Sequence, residues 1–246
     1  MAPCLSLIIP IYNGAPYLPQ TFQDLEKFFS RKDWLKEIIF VNDGSTDTTS
    51  VLLEQFKKKT QLSIRLVQLQ RNQGKGHALK AGIEMCRGAD FFAFTDVELP
   101  YGLPKVEEGY EFLKNNPETV CVAGERVHTG SRQYSFYRSV GSKLFRLFLP
   151  KIIHRIPDTQ CGLKMFRSRE GKKLFKKIRT GRWVFDIEIF LFLLHSHFIP
   201  HFIPVHIKPS CAKGKGGVQF LRNGKEILKE LKRIRAYEKQ GLYNHF

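Results

Sequence analysis

EIIFVNDGSTDTT, residues 37–49, contains three kinds of segment in direct succession. Its first five residues, EIIFV, are rich in Ile, Val and Phe, which is typical of a buried strand. Asn, Asp, Gly, Ser and Thr follow at once, and these residues favour turns and helix caps. A helix-like segment then begins at Thr46. A buried strand, a polar turn and a helix in this order indicate one unit of an α/β sheet.

The same order of segments recurs along the first half of the chain. The predicted strands are residues 4–10, 37–41, 62–69, 90–96 and 119–124, and the predicted helices are residues 17–29, 46–59, 75–86 and 103–115. This alternation predicts an α/β, Rossmann-like fold, with a mostly parallel central sheet and flanking helices. Ligands of such sheets bind at the carboxyl ends of the strands. We predict one continuous domain, divided into residues 1–125 and a half, residues 126–246, that ends in a basic amphipathic helix.

Charge is divided unevenly between these halves. Residues 1–125 contain 14 Lys and Arg against 16 Asp and Glu, whereas residues 126–246 contain 26 against 7. The positive second half should attract a polyanion, an acidic substrate or an anionic membrane surface. The alternative is a solvated basic surface, although solubility does not require so uneven a distribution. Because the basic residues are not interleaved with aromatic residues as in RNA-binding modules, nucleic-acid binding is not expected.

The cysteines and the apolar stretches bear on the compartment. The five cysteines are an odd number, widely scattered and without metal-ligand spacing, so we expect neither a disulfide framework nor a zinc site. The amino-terminal residues do not have the pattern of a targeting segment. Residues 190–205 are apolar but too short, and too interrupted by His and Pro, to span a bilayer. We expect a cytoplasmic protein that is soluble or peripherally membrane-associated.

Two of the polar turns contain residues suited to a nucleotide. Asp43 can accept hydrogen bonds from ribose hydroxyls or a base edge, and its alternative is a structural role in a turn or helix cap. Lys75 lies between two glycines at a predicted helix start, where its ammonium group and free backbone N–H groups would suit a phosphate. The sequence GxxxxGK[ST] is absent, so this is not a Walker loop.

A third turn contains two carboxylates. In FFAFTDVELP, residues 91–100, the predicted strand stops at Asp96 and Glu98. Strand alternation would point both side chains to one side of the sheet, where they could hold Mg²⁺ or Mn²⁺ together with a diphosphate. Such a metal would stabilise a departing nucleoside diphosphate. The alternative is a solvated pair at a strand end, but the neighbouring polar turns favour the metal site.

Several segments resemble a known family. LSLIIPIYNG (5–14), EIIFVNDGSTDTT, NQGKGHALKAG (72–82) and FTDVELP (94–100) resemble, in this order, the donor-binding half of family 2 glycosyltransferases, which use sugar nucleotides on a GT-A fold. In the second half, GSRQYSFYRSVGSKLF (130–145), PDTQCGLKMF (157–166) and RWVFDIEIF (182–190) resemble the polyprenyl-phosphate branch, that of dolichyl-phosphate glucosyltransferases and dolichol-phosphate mannose synthases. The resemblance covers residues 5–228. It implies that residues 1–125 bind the nucleotide sugar and residues 126–246 bind the acceptor.

The resemblance also implies roles for individual residues. On the donor side these residues are Pro10, Tyr12, Asp43, Lys75, Asp96 and Glu98, with the last two in place of the family's DxD metal site. Glu98 stands where the family usually has Asp. The residues placed in the motifs that close the sugar pocket are Asp158, Gln160, Trp183 and Asp186. Trp183 and the apolar residues around Asp186 could instead be helix-face core, and Cys161 is expected to be a packing residue.

On the acceptor side, Arg132 and Arg138 match arginines that hold a phosphate, a role suited to charge-assisted hydrogen bonds. Lys213 and Lys215, in a glycine-rich loop, could form a lid over the diphosphate or a solvated turn. The basic second half and its terminal helix would attach the protein to a membrane surface.

The implied activity is inverting transfer of a hexose, with glucose from UDP-glucose as the first expectation, to a polyprenyl (dolichyl-type) phosphate. An anionic phosphate oxygen attacks without a strong general base, so positioning and charge neutralisation would do most of the work. Transfer to a saccharide or protein hydroxyl would need a base, for which Asp158 is the first candidate. The alternative of a different class is a non-catalytic protein that binds anionic lipid or nucleic acid. Such a protein has no need of Lys75, Asp96 and Glu98 together.

Overall fold

The computed structural model describes residues 3–127, 149–182, 184–212 and 220–244. Seven strands form one sheet within these residues, in the spatial order β3-β2-β1-β4-β6-β5-β7. The strands are β1 (Leu5–Ile11), β2 (Leu35–Asn42), β3 (Ile64–Gln68), β4 (Phe91–Phe94), β5 (Cys121–Arg126), β6 (Lys164–Arg167) and β7 (His201–Val205). Each of the five strands predicted in the first half is confirmed, with ends that move by one or two residues.

The helices lie on both faces of this sheet. They are α1 (Leu18–Phe29), α2 (Thr49–Lys59), α3 (Lys75–Met85), α4 (Pro104–Asn115), α5 (Ser168–Lys177), α6 (Phe185–His195), α7 (Pro209–Ala212) and α8 (Phe220–Lys239), and a 3-10 helix spans Lys151–Arg155. The four helices predicted in the first half and the amphipathic terminal helix are confirmed. No helix within the described residues is long and apolar enough to cross a membrane.

One strand runs against the others. β1, β2, β3 and β4 pair in parallel, and β5 pairs in parallel with β7. β6 lies between β4 and β5 and is antiparallel to both. Its amino-terminal end therefore lies at the sheet edge where the parallel strands have their carboxyl ends. This direction brings the segment before β6 beside the loop after β4.

Two apolar clusters cover the two faces of the sheet. Alternate residues of β1 separate between them, because Ile8 belongs to one cluster and Leu7 and Ile9 belong to the other. The first cluster includes residues of α3, α5, α6 and α8, and the second includes residues of α1, α2 and α4. Residues 185–193 of α6 are buried throughout, and β7 follows at residues 201–205. The apolar stretch 190–205 is therefore the end of a core helix followed by a strand of the sheet.

Candidate functional site

The loops after β1 and β2 are joined by hydrogen bonds. The Asn13 backbone N–H donates to Ser45 Oγ (2.9 Å), and the Asn13 side-chain oxygen accepts from the Thr46 N–H (2.8 Å). The Gly14 N–H donates to Thr49 Oγ1 (2.9 Å). Tyr12, on the same edge, is 51% exposed. Its ring is accessible to a ligand, as the nucleotide contact predicted for it would require.

Asp43 occupies a buried position between two loops. It is 3% exposed, and its two carboxylate oxygens accept the backbone N–H groups of Gln73 and Gly74, both at 2.8 Å. These contacts give Asp43 the structural role that was the alternative to nucleotide binding, because they hold the loop that leads into α3. The predicted contact between Asp43 and a ribose or base stays a prediction, as does the nucleotide contact of Pro10, a partly buried residue of β1.

The start of α3 differs from the prediction of free N–H groups. Gly74 has φ +97°, a left-handed conformation that favours glycine. Its N–H donates to Asp43, and the His77 N–H donates to the Gly181 carbonyl oxygen at 3.1 Å. A Cβ atom on residue 74 would lie 2.7 Å from Arg182 Cγ. Some of the backbone N–H groups that were expected to bind a phosphate are therefore already hydrogen-bonded, and residues 181–182 pack against the start of α3.

Lys75 and Asp96 form an ion pair at the same sheet edge. Lys75 Nζ lies 2.5 Å from Asp96 Oδ1, and the two side chains are 31% and 35% exposed. Burial alone would lower the pKa of Lys75, but the negative charges of Asp96 and Asp186 raise it overall. The ammonium group therefore stays charged beside the carboxylate. Lys75, predicted to lie near the donor phosphate, here contacts the carboxylate predicted to hold the metal.

The prediction that strand alternation orients Asp96 and Glu98 is wrong. β4 ends at Phe94, and a turn follows in which the Leu99 N–H donates to the Asp96 carbonyl oxygen (3.0 Å). Val97, between the two carboxylates, is 8% exposed. The two carboxylates are placed by this turn, in which Leu99 has a positive φ of 48°.

Gly162, in the segment before β6, lies directly against Asp96. A Cβ atom on residue 162 would overlap Asp96 Oδ2 and lie 2.9 Å from Asp96 Cγ. A side chain at residue 162 would therefore force the Asp96 carboxylate to move from this position. The Gly162 N–H donates to the Tyr101 hydroxyl oxygen at 3.3 Å. The loops before β6 and after β4 are thereby held together around Asp96.

Glu98 is partly buried near Asp96. Burial raises the pKa of Glu98, and the negative charge of Asp96 raises it further. Two neighbouring, partly buried carboxylates suit a hard divalent cation, which prefers oxygen ligands and accepts substrate phosphates as its remaining ligands. Within the described residues no group of three or more His, Cys, Asp or Glu side chains is arranged to hold a metal. Asp96 and Glu98 alone would leave several coordination positions of a metal open. They therefore fit Mg²⁺ or Mn²⁺ bound jointly with a diphosphate, whose oxygens supply further ligands.

Asp158 pairs with an arginine that sequence reasoning missed. Its carboxylate accepts from Arg126 Nε (2.6 Å) and Nη2 (2.8 Å) and from the Gln160 backbone N–H (3.0 Å). Burial alone would raise the pKa of Asp158, but these bonds lower it overall. A carboxylate with a lowered pKa is a weaker proton acceptor. The Gln160 side-chain nitrogen is buried and has no hydrogen-bond partner among the described residues.

Asp186 forms a second Lys–Asp pair, deeper in the protein. Lys164 Nζ lies 2.6 Å from Asp186 Oδ1, and the side chains are 0% and 10% exposed. The ammonium group also donates to the carbonyl oxygens of Thr159 (3.3 Å) and Cys161 (2.7 Å). Asp186 is therefore held in a satisfied buried network, and its predicted sugar contact stays a prediction. Cys161 is 0% exposed, which agrees with packing.

Comparison with known protein families identifies the family to which the residues of this sheet edge belong. The model of the family described as "Glycosyl transferase family 2" matches residues 6–175, more than half of the chain. This chain belongs to glycosyl transferase family 2. The matched residues run from β1 into α5, so they include Lys75, Asp96, Asp158 and Gly162. Asp186 lies beyond the match.

Individual relatives in family 2 are similar over most of the chain. Dolichyl-phosphate beta-glucosyltransferase of Dictyostelium discoideum is 34% identical over 211 residues, which are 80% of this chain and 63% of that protein. The enzymes of the same name from Homo sapiens and Saccharomyces cerevisiae are 30% and 31% identical, over 80% and 82% of this chain and 64% and 66% of theirs. The chain spans somewhat less than two thirds of the length of these curated relatives.

Solved structures share the family 2 architecture at low identity. Glucosyl-3-phosphoglycerate synthase from Mycobacterium tuberculosis, in complex with Mn²⁺, UDP and glucosyl-3-phosphoglycerate, has a TM-score of 0.65 and 14% identity over 93% of this chain and 77% of its own. A mannosyltransferase from Pyrobaculum calidifontis, in complex with GDP-Man and Mn²⁺, has a TM-score of 0.61 and 18% identity over 90% of this chain and 60% of its own. The predicted GT-A fold is confirmed.

Glu188 is a second residue of this family 2 chain that sequence reasoning missed. It is fully buried and accepts the Thr180 N–H (2.6 Å) and hydroxyl (2.5 Å), the Arg179 N–H (3.1 Å) and the Tyr243 hydroxyl (3.0 Å). It thereby holds the segment next to Gly181, which contacts α3. The available signal was a second carboxylate, two residues after Asp186, within a largely apolar helix, since a buried charge requires partners.

Four predicted site residues lie outside the described residues: Arg132, Arg138, Trp183 and Lys213. Lys215 of the predicted lid lies outside them as well. Their predicted roles in this family 2 chain stay predictions. The described part of the site consists of the loops after β1, β2 and β4, the start of α3 and the segment before β6.

Proposed function

We propose that this chain catalyses inverting transfer of a hexose, glucose in the first instance, from UDP-glucose to a polyprenyl (dolichyl-type) phosphate at a membrane surface. The observation that carries the proposal is the Lys75–Asp96 pair, which lies against Gly162 with Glu98 beside it. This arrangement offers carboxylate oxygens and one cation at the sheet edge where α/β proteins bind nucleotides. The similarity to dolichyl-phosphate glucosyltransferases supports the choice of sugar and acceptor.

The donor would lie along the loops after β1, β2 and β4. The exposed ring of Tyr12 is available to contact the base, while Asp43 holds the loop that leads to Lys75. Asp96 and Glu98 would hold Mg²⁺ or Mn²⁺, and the metal, when bound, neutralises charge on the departing diphosphate. The Mn²⁺ complexes of the two similar structures support a divalent ion. The Lys75 ammonium group adds a positive charge at the same place.

The contacts and the lowered pKa of Asp158 favour a phosphate acceptor over a hydroxyl acceptor. The Arg126 guanidinium occupies both of its oxygens, and its pKa is lowered, so it is poorly suited to remove a proton from a hydroxyl. A phosphate monoester oxygen is already anionic and needs no such base. Arg132 and Arg138 would hold this phosphate through charge-assisted hydrogen bonds. The basic second half would keep the protein at the membrane that contains the lipid acceptor.

A donor and acceptor screen tests the proposal. Purified protein is incubated with UDP-glucose, UDP-galactose or GDP-mannose, Mn²⁺ or Mg²⁺, and a short polyprenyl phosphate, and lipid-linked sugar is measured. We expect turnover with UDP-glucose that requires both the metal and the lipid phosphate. Transfer to a free sugar or peptide hydroxyl instead would favour the hydroxyl-acceptor alternative. Neither turnover nor sugar-nucleotide hydrolysis, with metal binding also absent, would leave only a non-catalytic binding protein.

A further inference from the structure

Cations predominate among the exposed residues of α8 within the range 224–239. Residues 225, 229, 232, 236 and 239 recur at intervals of four and three residues, so they lie on one side of the helix. Residue 233 follows residue 229 by four positions and lies on the same side. We call the exposed cations of this side the basic face: Lys225, Lys229, Lys232, Arg233 and Lys239. The opposite side is anchored in the core by Ile227, Leu231 and Ile234, which are at most 2% exposed. The direction of the basic face is therefore fixed by the fold.

Two carboxylates of the same helix, Glu226 and Glu238, have partners outside the basic face. Glu226 lies 3.6 Å from Arg182 Nε, and Glu238 lies 3.6 Å from His195 Nε2. Within the described residues, none of the five cations forms an ion pair within 4 Å. Five uncompensated charges on one helix side produce a local positive potential well beyond that of a mixed surface.

An apolar residue lies among these cations. Leu228 is 38% exposed and sits at the margin of the basic face, between Lys225 and Lys232 in the helical repeat. Apolar and long basic side chains together are the composition of helices that lie in a membrane interface, where the Lys stems also bury. A surface for single-stranded nucleic acid would instead favour exposed aromatic rings for base stacking, and among residues 224–239 of α8 none of the exposed large apolar residues is aromatic.

The first half of α8 is linked through Arg182 to the start of α3. Glu226 pairs with Arg182, and Arg182 packs against Gly74, the residue before Lys75. The basic face therefore starts one or two side chains from the candidate active site. A membrane bound along this face would place its phosphate layer near the site edge.

We propose that the basic face of α8 is a docking surface for an anionic phospholipid membrane. It holds the helix parallel to the bilayer, with Leu228 toward the acyl boundary and the Lys75–Asp96 edge beside the headgroups. The benefit to catalysis rests on the proposed function, because only a lipid-linked acceptor gains from it. The docking itself is a property of the surface and can be measured without substrate.

Vesicle sedimentation with a charge-matched control tests the docking. The vesicles are made from equal parts of phosphatidylserine and phosphatidylcholine, or from phosphatidylcholine alone. We expect the unchanged protein to bind the first kind only. The variant K225Q/K229Q/K232Q should bind the anionic vesicles roughly a hundredfold more weakly, because each basic residue near such a surface contributes about tenfold or less.

The control variant is K57Q/K58Q/K59Q. It removes three exposed lysines from α2, which packs on the other face of the sheet, and it leaves the same net charge. Equal losses in the two variants would contradict the docking surface and indicate a general effect of net charge. Absence of vesicle binding by the unchanged protein would also overturn it, as would a DNA duplex that binds the basic face more tightly than the vesicles do.

Activity measurements separate this inference from the proposed function. With a short polyprenyl phosphate dispersed in detergent, the α8 triple variant should turn over at the unchanged rate. With the same acceptor embedded in anionic vesicles, its rate should fall by at least tenfold. Loss of vesicle binding in a protein that transfers no sugar would support the docking surface while the proposed function falls. Equal activity of the variant in both formats would contradict the catalytic benefit of docking.

Discussion

Two Lys–Asp pairs of nearly equal length lie in this protein and differ in their surroundings. Lys75 and Asp96 are 2.5 Å apart with about a third of each side chain exposed, whereas Lys164 and Asp186 are 2.6 Å apart and almost wholly buried. The buried ammonium group also has carbonyl partners, while Asp96 Oδ2 faces a glycine. We predict that the first pair exchanges partners when a cation or a phosphate binds. The second is fixed, because separating it would leave a charge in the core.

The largest effect is expected from breaking the buried pair. Lys164→Met leaves the Asp186 carboxylate buried without its cation, which should lower the free energy of unfolding by about 3–5 kcal/mol. Urea denaturation followed by circular dichroism measures this loss. The double variant Lys164→Met with Asp186→Leu should recover most of it, since no unpaired charge remains. A single variant as stable as the unchanged protein would contradict the assignment of this pair to the core architecture.

Breaking the exposed pair should instead affect activity. Asp96→Asn removes the negative charge that, in the proposed function, holds the divalent metal at the diphosphate, and turnover should fall by about 100-fold to 1000-fold. The free energy of unfolding should change by less than about 1 kcal/mol, as for other partly exposed pairs. The matched control is Glu107→Gln, which breaks the Lys32–Glu107 pair of equal length and 32% exposure. Similar activity losses in both variants would remove the distinction between the two Lys–Asp pairs.

A smaller change at the exposed pair sharpens the comparison. Gly162→Ala places a methyl group where Asp96 Oδ2 lies, so the carboxylate must move while its charge remains. We expect turnover to fall about tenfold, since catalytic groups tolerate little displacement. The control is Gly224→Ala, where a Cβ atom would meet nothing within 4 Å, and its turnover should be unchanged. Unchanged turnover of Gly162→Ala would show that the position of Asp96 is not critical.

The Arg126–Asp158 pair, with 34% and 11% exposure, is intermediate between the two. Its smaller effect is expected in the pH dependence of stability. Because the folded-state pKa of Asp158 is lowered, the stabilisation is present above the unfolded pKa of about 4 and is lost as the pH falls through the lower, folded value. Unfolding free energies of the unchanged protein and of Asp158→Asn should therefore converge as the pH drops below about 4. A constant difference would contradict the lowered pKa.

Local patterns in the sequence were sufficient for the first half of the fold and for placing Lys75 and Asp96 at one edge of the sheet. Apolar runs and turn residues predicted β1 through β5, and the turns after the strands located Asp96 and Lys75. The partners of these residues could not be predicted, because they depend on the position and direction of β6. Only the antiparallel insertion of this strand brings Gly162 to Asp96.

The burial and the partners of the charged core residues also could not be predicted, because they depend on the topology of the sheet. A residue that is exposed in one topology is buried in another, and short sequence patterns do not distinguish them. Lys164 reads as an ordinary polar residue within an apolar segment, and its partner lies 22 residues further along the chain. Arg126 and Asp158 are separated by 32 residues. Such long-range pairs follow from the whole sheet rather than from any one segment.

The insertion of β6 between β4 and β5 also constrains the order in which the chain can acquire its structure. β5 leaves the ribosome before β6 but has no place beside β4 until residues 164–167 have been made. Until then, the β4 edge offers unpaired backbone groups to other chains. A nascent or truncated chain that ends soon after β5 should therefore aggregate, whereas release of a chain that includes β6 closes this edge.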